Sequence, residues 1–192
     1  WLKNILKEQY QQEAEVLVAP VNKDSFYKED KDESVVSRVC MLHHDYDWKG
    51  YKDAIAAVKK VRSENCKIEL VVFGEKLEDP TPLYEEAGFK FEYHFRPTGE
   101  TLRKIYSSCG TYLCSSWYEG LGMPAMEAMM CGTVLVTTDT GGNRDYALNE
   151  KTALVSPIKN PEALAKNLIR VLTNEPLRLQ LAEKGYQKIQ QF

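Results

Sequence analysis

The sequence predicts an α/β fold, a parallel sheet with helices on both faces. Three observations predict it. From residue 35 to residue 155, short apolar strands alternate with amphipathic helices, with brief turns between them. Strands such as Val134-Leu135-Val136 are apolar without interruption, as strands covered on both faces must be. The 192 residues, 43% of them hydrophobic, suffice for one domain with a full core.

Each element has its own signal. Residues 1–11 put apolar side chains at 1, 2, 5 and 6, one face of a helix. Glu15-Val16-Leu17-Val18-Ala19-Pro20 reads as a short strand stopped by proline, and Val21–Lys31 as loop. Ser34–Leu42 carries Val35-Val36 and Val39-Cys40-Met41-Leu42, a buried strand, and His43–Gly50 is a polar loop. Tyr51–Glu64 is a helix with Ala54, Ile55, Val58 and Val61 on one face. Lys67–Phe73 is a strand ended by Gly74, Pro82–Ala87 a short helix, and Phe89–Phe95 a further strand. Thr98-Gly99-Glu100 opens a helix running to Ser108, with Leu102, Ile105 and Tyr106 inward. Tyr112–Ser115 is a strand, and the β-branched strand Thr133–Thr138 feeds Asp139-Thr140-Gly141-Gly142. Asn143–Leu148 reads as a short helix and Ala153-Leu154-Val155 as the last strand. Two proline-opened helices follow, Pro161–Leu172 and Pro176–Gln191. These elements divide the chain into a linker or interface helix (1–14), a ligand-binding α/β domain (15–175) and a carboxyl-terminal helix (176–192).

Bulk properties exclude several classes. A net charge of −3 gives no electrostatic reason to expect nucleic acid as the partner. No signal peptide and no 18-residue apolar run appear. With Trp1 in place of an initiator Met, the expectation is a piece of a longer cytoplasmic protein. Five cysteines show no metal-type pairing, Cys109 and Cys114 being nearest in sequence. Cys40, Cys114 and Cys131 lie in apolar segments and read as small core residues. A reducing compartment fits better than a disulfide framework, and no structural zinc is expected.

The most informative stretch is Ser115-Ser116-Trp117-Tyr118-Glu119-Gly120-Leu121-Gly122-Met123-Pro124-Ala125-Met126-Glu127-Ala128-Met129-Met130-Cys131-Gly132. It reads as a strand end, a glycine-bearing loop and a short helix with Pro124 at its first position and Glu127 in its first turn. Gly120 and Gly122 let the backbone approach a ligand. The free N–H groups and the positive end of the helix dipole suit an anion such as phosphate. Glu127 offers a carboxylate that takes two hydroxyl donors, and Glu119 a second carboxylate across the glycines. On these residues alone, a plain turn with a surface glutamate remains the competing reading. In parallel sheets, ligands bind beyond the carboxyl ends of the strands. The loops there are His43–Gly50, Gly74–Lys76, Arg96–Gly99, Trp117–Gly122 and Thr140–Gly142.

The pair Glu119 and Glu127, in the context E-G-L-G-M-P-x-x-E-A-M-x-x-G, resembles the carboxyl-terminal domain of retaining GT-B-fold glycosyltransferases, family 4 (group 1). Ala19-Pro20-Val21-Asn22 with Phe26, Trp48-Lys49-Gly50, Val71-Val72-Phe73-Gly74, Leu102 with Tyr106-Ser107-Ser108-Cys109, and Thr140-Gly141-Gly142 extend the resemblance over nearly the whole chain. It implies a Rossmann-like sheet and a donor-binding half of an enzyme that moves a sugar, with retention, from a nucleoside diphosphate sugar to a saccharide or lipid-linked acceptor. Glu119 would be the catalytic-site residue touching donor-sugar hydroxyls. Glu127 would bind the ribose, Lys49 would neutralise the diphosphate, and backbone N–H groups of Gly120, Leu121, Gly122 and Met123 would bind sugar and phosphate. Gly74, Arg96, Thr140, Gly141 and Gly142 complete the expected donor contacts, with Arg96–Gly99 near the base. No cofactor and no metal are implied. The acceptor and any acid/base group would come from an amino-terminal domain of the same chain, toward which the helix at 176–192 would pack, and the intact enzyme is open to peripheral association with the cytoplasmic face of a membrane.

One position departs from the pattern. Where the family has an arginine five residues before the lysine, this chain has His44, which lacks a guanidinium fork and is largely neutral at pH 7. Either His44 hydrogen-bonds a phosphate or the donor sugar, or Arg96 supplies the missing charge. Asp45-Tyr46-Asp47 also forms an Asp-x-Asp, a metal-binding pattern in another glycosyltransferase class, beside the plainer reading of a polar loop. His94, within an apolar strand, reads as packed or hydrogen-bonded. The competing functional classes are a noncatalytic regulatory domain and another enzyme of the same two-domain fold, such as a sugar-phosphate synthase or a phosphorylase. A phosphorylase would need a Schiff-base lysine near the crevice, and none stands out.

Overall fold

A computed structural model describes residues 2–17, 19–31 and 33–192. Helix α1 (Leu2–Tyr10) comes first, and a 3-10 turn (Glu33–Ser37) precedes strand β1 (Arg38–His43). There follow α2 (Tyr51–Ser63), β2 (Glu69–Gly74), α3 (Thr81–Ala87), β3 (Glu92–Phe95), α4 (Gly99–Ser107) and β4 (Thr111–Cys114). The chain continues through α5 (Met123–Met130), β5 (Val134–Thr138), β6 (Leu154–Ser156), α6 (Pro161–Thr173) and α7 (Glu175–Ile189). The six strands form one sheet in the order β3-β2-β1-β4-β5-β6, every neighbouring pair parallel.

Alternation along the strands sorts the core into two layers. Val39, Met41, Leu113, Val134 and Val136 face one layer, where they meet α2, Leu83 and Ala87 of α3, and Leu164 and Leu168 of α6. Cys40, Val71, Phe73, Tyr112 and Leu135 face the other, against Ile105 and Tyr106 of α4, the methionines of α5 and Ile189 of α7. The predicted parallel sheet with helices on both faces is the observed fold.

Several elements differ from expectation. The predicted strand at 15–20 is not a strand among the described residues; Val18 lies outside them. Leu17 is 94% exposed. Its β-branched and aliphatic composition fits a strand, but it pairs with neither edge of the sheet, and strand preference without a partner is weak. The predicted apolar face of the first helix buries nothing, and Trp1 lies outside the described residues. Val35 and Val36 sit in the 3-10 turn ahead of β1. Asn143–Leu148 shrinks to a 3-10 turn, Gly142–Asp145. Cys40 and Cys131 are core residues as expected, whereas Cys114 is only partly buried. Helix α7, which the sequence reading sets apart as packing toward an amino-terminal domain, packs on α5, α6 and β5 and buries Leu181, Gly185 and Ile189.

Two glycines let the loops above the sheet touch backbone to backbone. A Cβ on Gly50 would lie 2.1 Å from the Ser115 carbonyl oxygen, and one on Gly142 would lie 2.2 Å from that of Gly120. Gly50 also has φ of +67°. Gly88 shares a positive φ, +72°, but faces open space. Gly88→Ala therefore carries conformational strain alone, about 1–2 kcal/mol. Gly50→Ala adds a clash and is expected to cost about 1–3 kcal/mol more. Urea unfolding of the two variants measures the difference; equal costs would show that the Gly50–Ser115 approach relaxes freely.

Candidate functional site

The strand order reverses between β1 and β4, so the loops leaving these two strands diverge and open a crevice. From the β1 side comes the 3-10 turn Asp47–Lys49, closed by Gly50 in the left-handed conformation. From the β4 side comes Ser115–Gly122. The loops are joined by Trp117 N–H donating to the Trp48 carbonyl at 2.7 Å and by Ser115 Oγ donating to the Lys49 carbonyl at 3.2 Å. This staple fixes where Lys49 can reach. Its Nζ lies 2.8 Å from Glu119 Oε1 and 4.6 Å above the centre of the Trp48 ring. Ser116 Oγ donates to the same Glu119 oxygen at 2.7 Å.

Beyond Glu119 the chain is held on its far side. Glu119 N–H donates to the Thr140 carbonyl at 3.3 Å, and Tyr146 OH donates to the Leu121 carbonyl at 2.7 Å. The N–H groups of Gly120, Leu121, Gly122 and Met123 make no hydrogen bond to another described residue. Helix α5 starts directly after them, with Gly122 at φ +82° as its N-cap. Pro124 takes the second helical position rather than the first, and Glu127 opens the second turn rather than lying in the first. The loop thus presents a run of donors at the positive end of a helix, next to a lysine.

Glu127 is partly buried, and Tyr106 OH donates to its Oε2 at 3.1 Å. Burial pushes its carboxyl up from 4.5 to about 6, against the opposing effect of the Tyr106 hydrogen bond. Its other oxygen, Oε1, has no partner among the described residues. A carboxylate with one oxygen fixed and one open is set to accept a hydroxyl donor.

The remaining expected residues are placed as follows. His44 stacks on Tyr46 (centroids 4.3 Å apart), accepts from Tyr46 N–H at 3.3 Å and stands 3.7 Å from Glu75 Oε1, so it is turned toward a carboxylate rather than standing free. Gly74 ends β2, and its carbonyl accepts from Arg96 N–H at 2.7 Å. Arg96, at φ +48°, is exposed, with its guanidinium over the Phe95 ring. It stands at the end of the edge strand, two strands from the switch point. Thr140 is buried with its Oγ1 unpaired, and Gly141 bridges to Glu119. His94 is hydrogen-bonded to Glu92, 2.7 Å away. Asp45 and Asp47 share a cavity wall, but among the described residues no three His, Cys, Asp or Glu side chains are grouped to hold a metal ion. Sequence reasoning missed Ser116 and Tyr106 as the holders of the two glutamates. Ser116 adjoins the motif and Tyr106 was read only as an inward side chain; neither contact has a local spacing rule.

A parallel sheet ordered 3-2-1-4-5-6, with a cation, two carboxylates and a donor-lined helix start at its switch point, defines a Rossmann-like ligand-binding domain. Residues 8–188 match the family described as Glycosyl transferases group 1, and the chain belongs to that family. An uncharacterised glycosyltransferase of Methanocaldococcus jannaschii is 30% identical over 129 residues, 66% of this chain and 33% of that protein. The crystal structure of the C-terminal domain of a glycosyl transferase group 1 family protein (LpcC) from Francisella tularensis superposes with a TM-score of 0.74 at 18% identity, covering 89% of this chain and 97% of that one. HepE of Anabaena, solved in complex with UDP-glucose, gives a TM-score of 0.73 at 16% identity, covering 90% of this chain and 51% of that one. The fold is that of the C-terminal domain of GT-B glycosyltransferases. The chain spans about half or less of the length of the curated relatives it matches.

The raised Glu127 carboxyl makes a stability prediction. Its folded value lies above its unfolded one, so its contribution is full below pH 4.5 and is lost as pH rises through about 6. Unfolding free energies measured from pH 4.5 to 7 should fall across that window more for the parent chain than for Glu127→Gln. Parallel curves would mean that Glu127 is well solvated.

Proposed function

We propose that the chain is the donor-binding domain of a glycosyltransferase that moves a sugar from a nucleoside diphosphate sugar to a saccharide or lipid-linked acceptor with retention of anomeric configuration. One observation carries the reading: Lys49, Glu119, the unbonded N–H groups of Gly120–Met123 and the half-satisfied Glu127 all belong to the two loops of the switch point and the helix that follows. The complex of the structurally similar Anabaena HepE with UDP-glucose supports it.

In this reading each charge of the ion pair exchanges its partner when donor binds. Lys49 Nζ turns from Glu119 to the diphosphate. Glu119 accepts hydroxyls of the donor sugar. The amides of Gly120–Met123 take phosphate oxygens, and Glu127 Oε1 accepts a ribose hydroxyl. As the bond from the anomeric carbon to the phosphate oxygen breaks, negative charge grows on the leaving diphosphate. Lys49 and the fixed amide dipoles stabilise that charge without reorganising. The acceptor oxygen bonds to the anomeric carbon on the face the diphosphate leaves, its proton passing to the departing phosphate oxygen, with the acceptor positioned by the rest of the intact enzyme. That enzyme works in the cytoplasm and is open to peripheral membrane association; among the described residues no helix is long and apolar enough to cross a membrane.

Calorimetric titration with nucleoside diphosphates and the corresponding nucleotide sugars tests the roles. Glu127→Ala should weaken binding of the bare diphosphate by about 1.5–3 kcal/mol, the cost of losing a charged acceptor. Glu119→Ala should weaken the nucleotide sugar but not the bare diphosphate, because it also releases Lys49 from its ion pair. Equal losses for both ligands in both variants would overturn this division. Binding should survive a chelator; loss restored by magnesium or manganese would return the site to Asp45 and Asp47.

A second expectation concerns transfer. These 192 residues supply one wall of a site, so binding in the micromolar to millimolar range, roughly 4–8 kcal/mol, is expected. Holding an acceptor at the anomeric carbon supplies about 7–11 kcal/mol of the barrier. The chain alone should therefore bind donor without transferring sugar. Turnover by residues 1–192 with simple acceptors, measured against the full-length protein, would show that the acceptor groups are already present.

A further inference from the structure

Lys49 Nζ and Ser116 Oγ contact the same oxygen of Glu119, Oε1, at 2.8 and 2.7 Å. Oε2 has no partner among the described residues. Glu127 is built the same way, with the Tyr106 hydroxyl on Oε2 and Oε1 open. Each carboxylate of the crevice is therefore held on one oxygen by a neutral hydroxyl and offers the other. At Glu119 the two holders differ in kind. Lys49 is a long side chain from another loop, 70 positions away. Ser116 is three positions away and 4% exposed. Its carbonyl accepts from Thr138 Oγ1, and the next N–H, that of Trp117, donates to the Trp48 carbonyl at 2.7 Å. The serine is thus fixed through its backbone to the end of β5 and to the loop after β1.

We propose that Ser116 is a positioning residue for donor-sugar recognition, keeping Glu119 aimed at the sugar while Lys49 leaves for the diphosphate. The inference rests on the donor reading above. In that reading the ammonium gives up Oε1 as Oε2 takes a sugar hydroxyl. The Glu119 side chain is only 14% exposed, so water is poorly placed to replace the lost donor, and a shielded carboxylate short of donors is costly. Among the described residues, Ser116 is the side-chain donor that stays on Glu119. It also limits the rotamers open to the carboxylate, which lowers the ordering cost of binding a sugar. A serine hydroxyl suits the task. It gives one O–H that rotates to its acceptor, and being neutral it leaves the carboxylate's charge available, first to Lys49 and then to the sugar. A second cation at this place would pair with Glu119 in both states and compete with the sugar.

Calorimetric titration with a double-mutant cycle tests it. The probes are UDP-glucose, UDP-N-acetylglucosamine and GDP-mannose, each against its bare diphosphate, UDP or GDP; the nucleotide sugar that the parent chain binds best is carried through the variants. Ser116→Ala should weaken that nucleotide sugar about tenfold and leave the bare diphosphate within about twofold. In a Glu119→Ala background the same change should do nothing further, because there is no carboxylate to aim. A purely structural role would weaken both ligands alike, and would do so in both backgrounds; either result overturns the proposal. It is also overturned if Ser116→Ala binds the nucleotide sugar as the parent does while Glu119→Ala does not. Water in the space of about 20 Å³ lined by Lys49, Ser116 and Glu119 would then hold the carboxylate as well as the hydroxyl does, and the donor reading would stand. If no nucleotide sugar binds, or if Glu119→Ala leaves its binding unchanged, the donor reading fails and this inference with it.

Discussion

Lys49 and Glu119 are 70 positions apart in the chain and 2.8 Å apart in space, with side chains only 16% and 14% exposed. Shielding a cation and a carboxylate to this degree costs solvation, and attraction between the two offsets it only where further contacts satisfy the remaining atoms. Here Ser116 supplies a hydroxyl to the carboxylate and Trp48 an aromatic face to the ammonium. Removing either partner leaves the other charge shielded and unmatched. The pair therefore works as a fixed point: the loop after β1 and the loop after β4 must meet at this place, and the crevice between them takes its shape from that meeting.

The remaining contacts keep the fixed point from drifting. Gly50 lies on the Ser115 carbonyl and Gly142 on that of Gly120, so three loops contact one another through backbone. Asn143 Nδ2 donates to the Thr138 carbonyl at 2.8 Å and to Thr137 Oγ1 at 3.2 Å, and Thr138 Oγ1 donates to the Ser116 carbonyl. These bonds tie the end of β5 to the loop that carries Glu119. Catalytic electrostatics needs dipoles that are already aimed before charge develops. Under the proposed function, a loop held on both sides, with its own N–H groups left open, would meet that requirement more directly than a flexible glycine loop.

What was legible in the sequence is what short-range patterns encode. The β-branched run at 134–138, the 3.6-residue stripe through Ala54, Ile55, Val58 and Val61, and the alternation of elements gave the parallel sheet and its layers. The motif from Glu119 to Glu127 gave the loop and helix to within one position. The misreadings share a cause. Val16 and Leu17 have the composition of a strand, but a strand exists only where an edge accepts it, and no local signal reports that. The contacts that define the site, Lys49 with Glu119 and Tyr106 with Glu127, depend on which strands the topology sets side by side. His44 shows the same limit: its neighbours in sequence do not reveal that Glu75, at the end of the adjacent strand, stands 3.7 Å away.

Glu127 ties the site to the core in a way that neither explains alone. Its partner Tyr106 is fully buried, with its ring against Phe73 at 5.6 Å and Tyr112 at 5.8 Å, and its carbonyl accepts from Thr133 Oγ1 at 2.8 Å and Lys31 Nζ at 3.2 Å. The phenol oxygen cannot follow Glu127 if the helix shifts, so the carboxylate is oriented by the same packing that joins α4 to α5. That packing also withdraws water from the carboxylate and raises its pKa, which makes the ionised form a burden to the folded chain above about pH 6. A ligand hydroxyl donated to Oε1 would replace the water that burial removed. Under the proposed function, the cost of ionising Glu127 in the folded chain and the affinity it would offer a hydroxyl ligand share one cause, the withdrawal of water, so a change that solvates Glu127 would relieve the first and weaken the second.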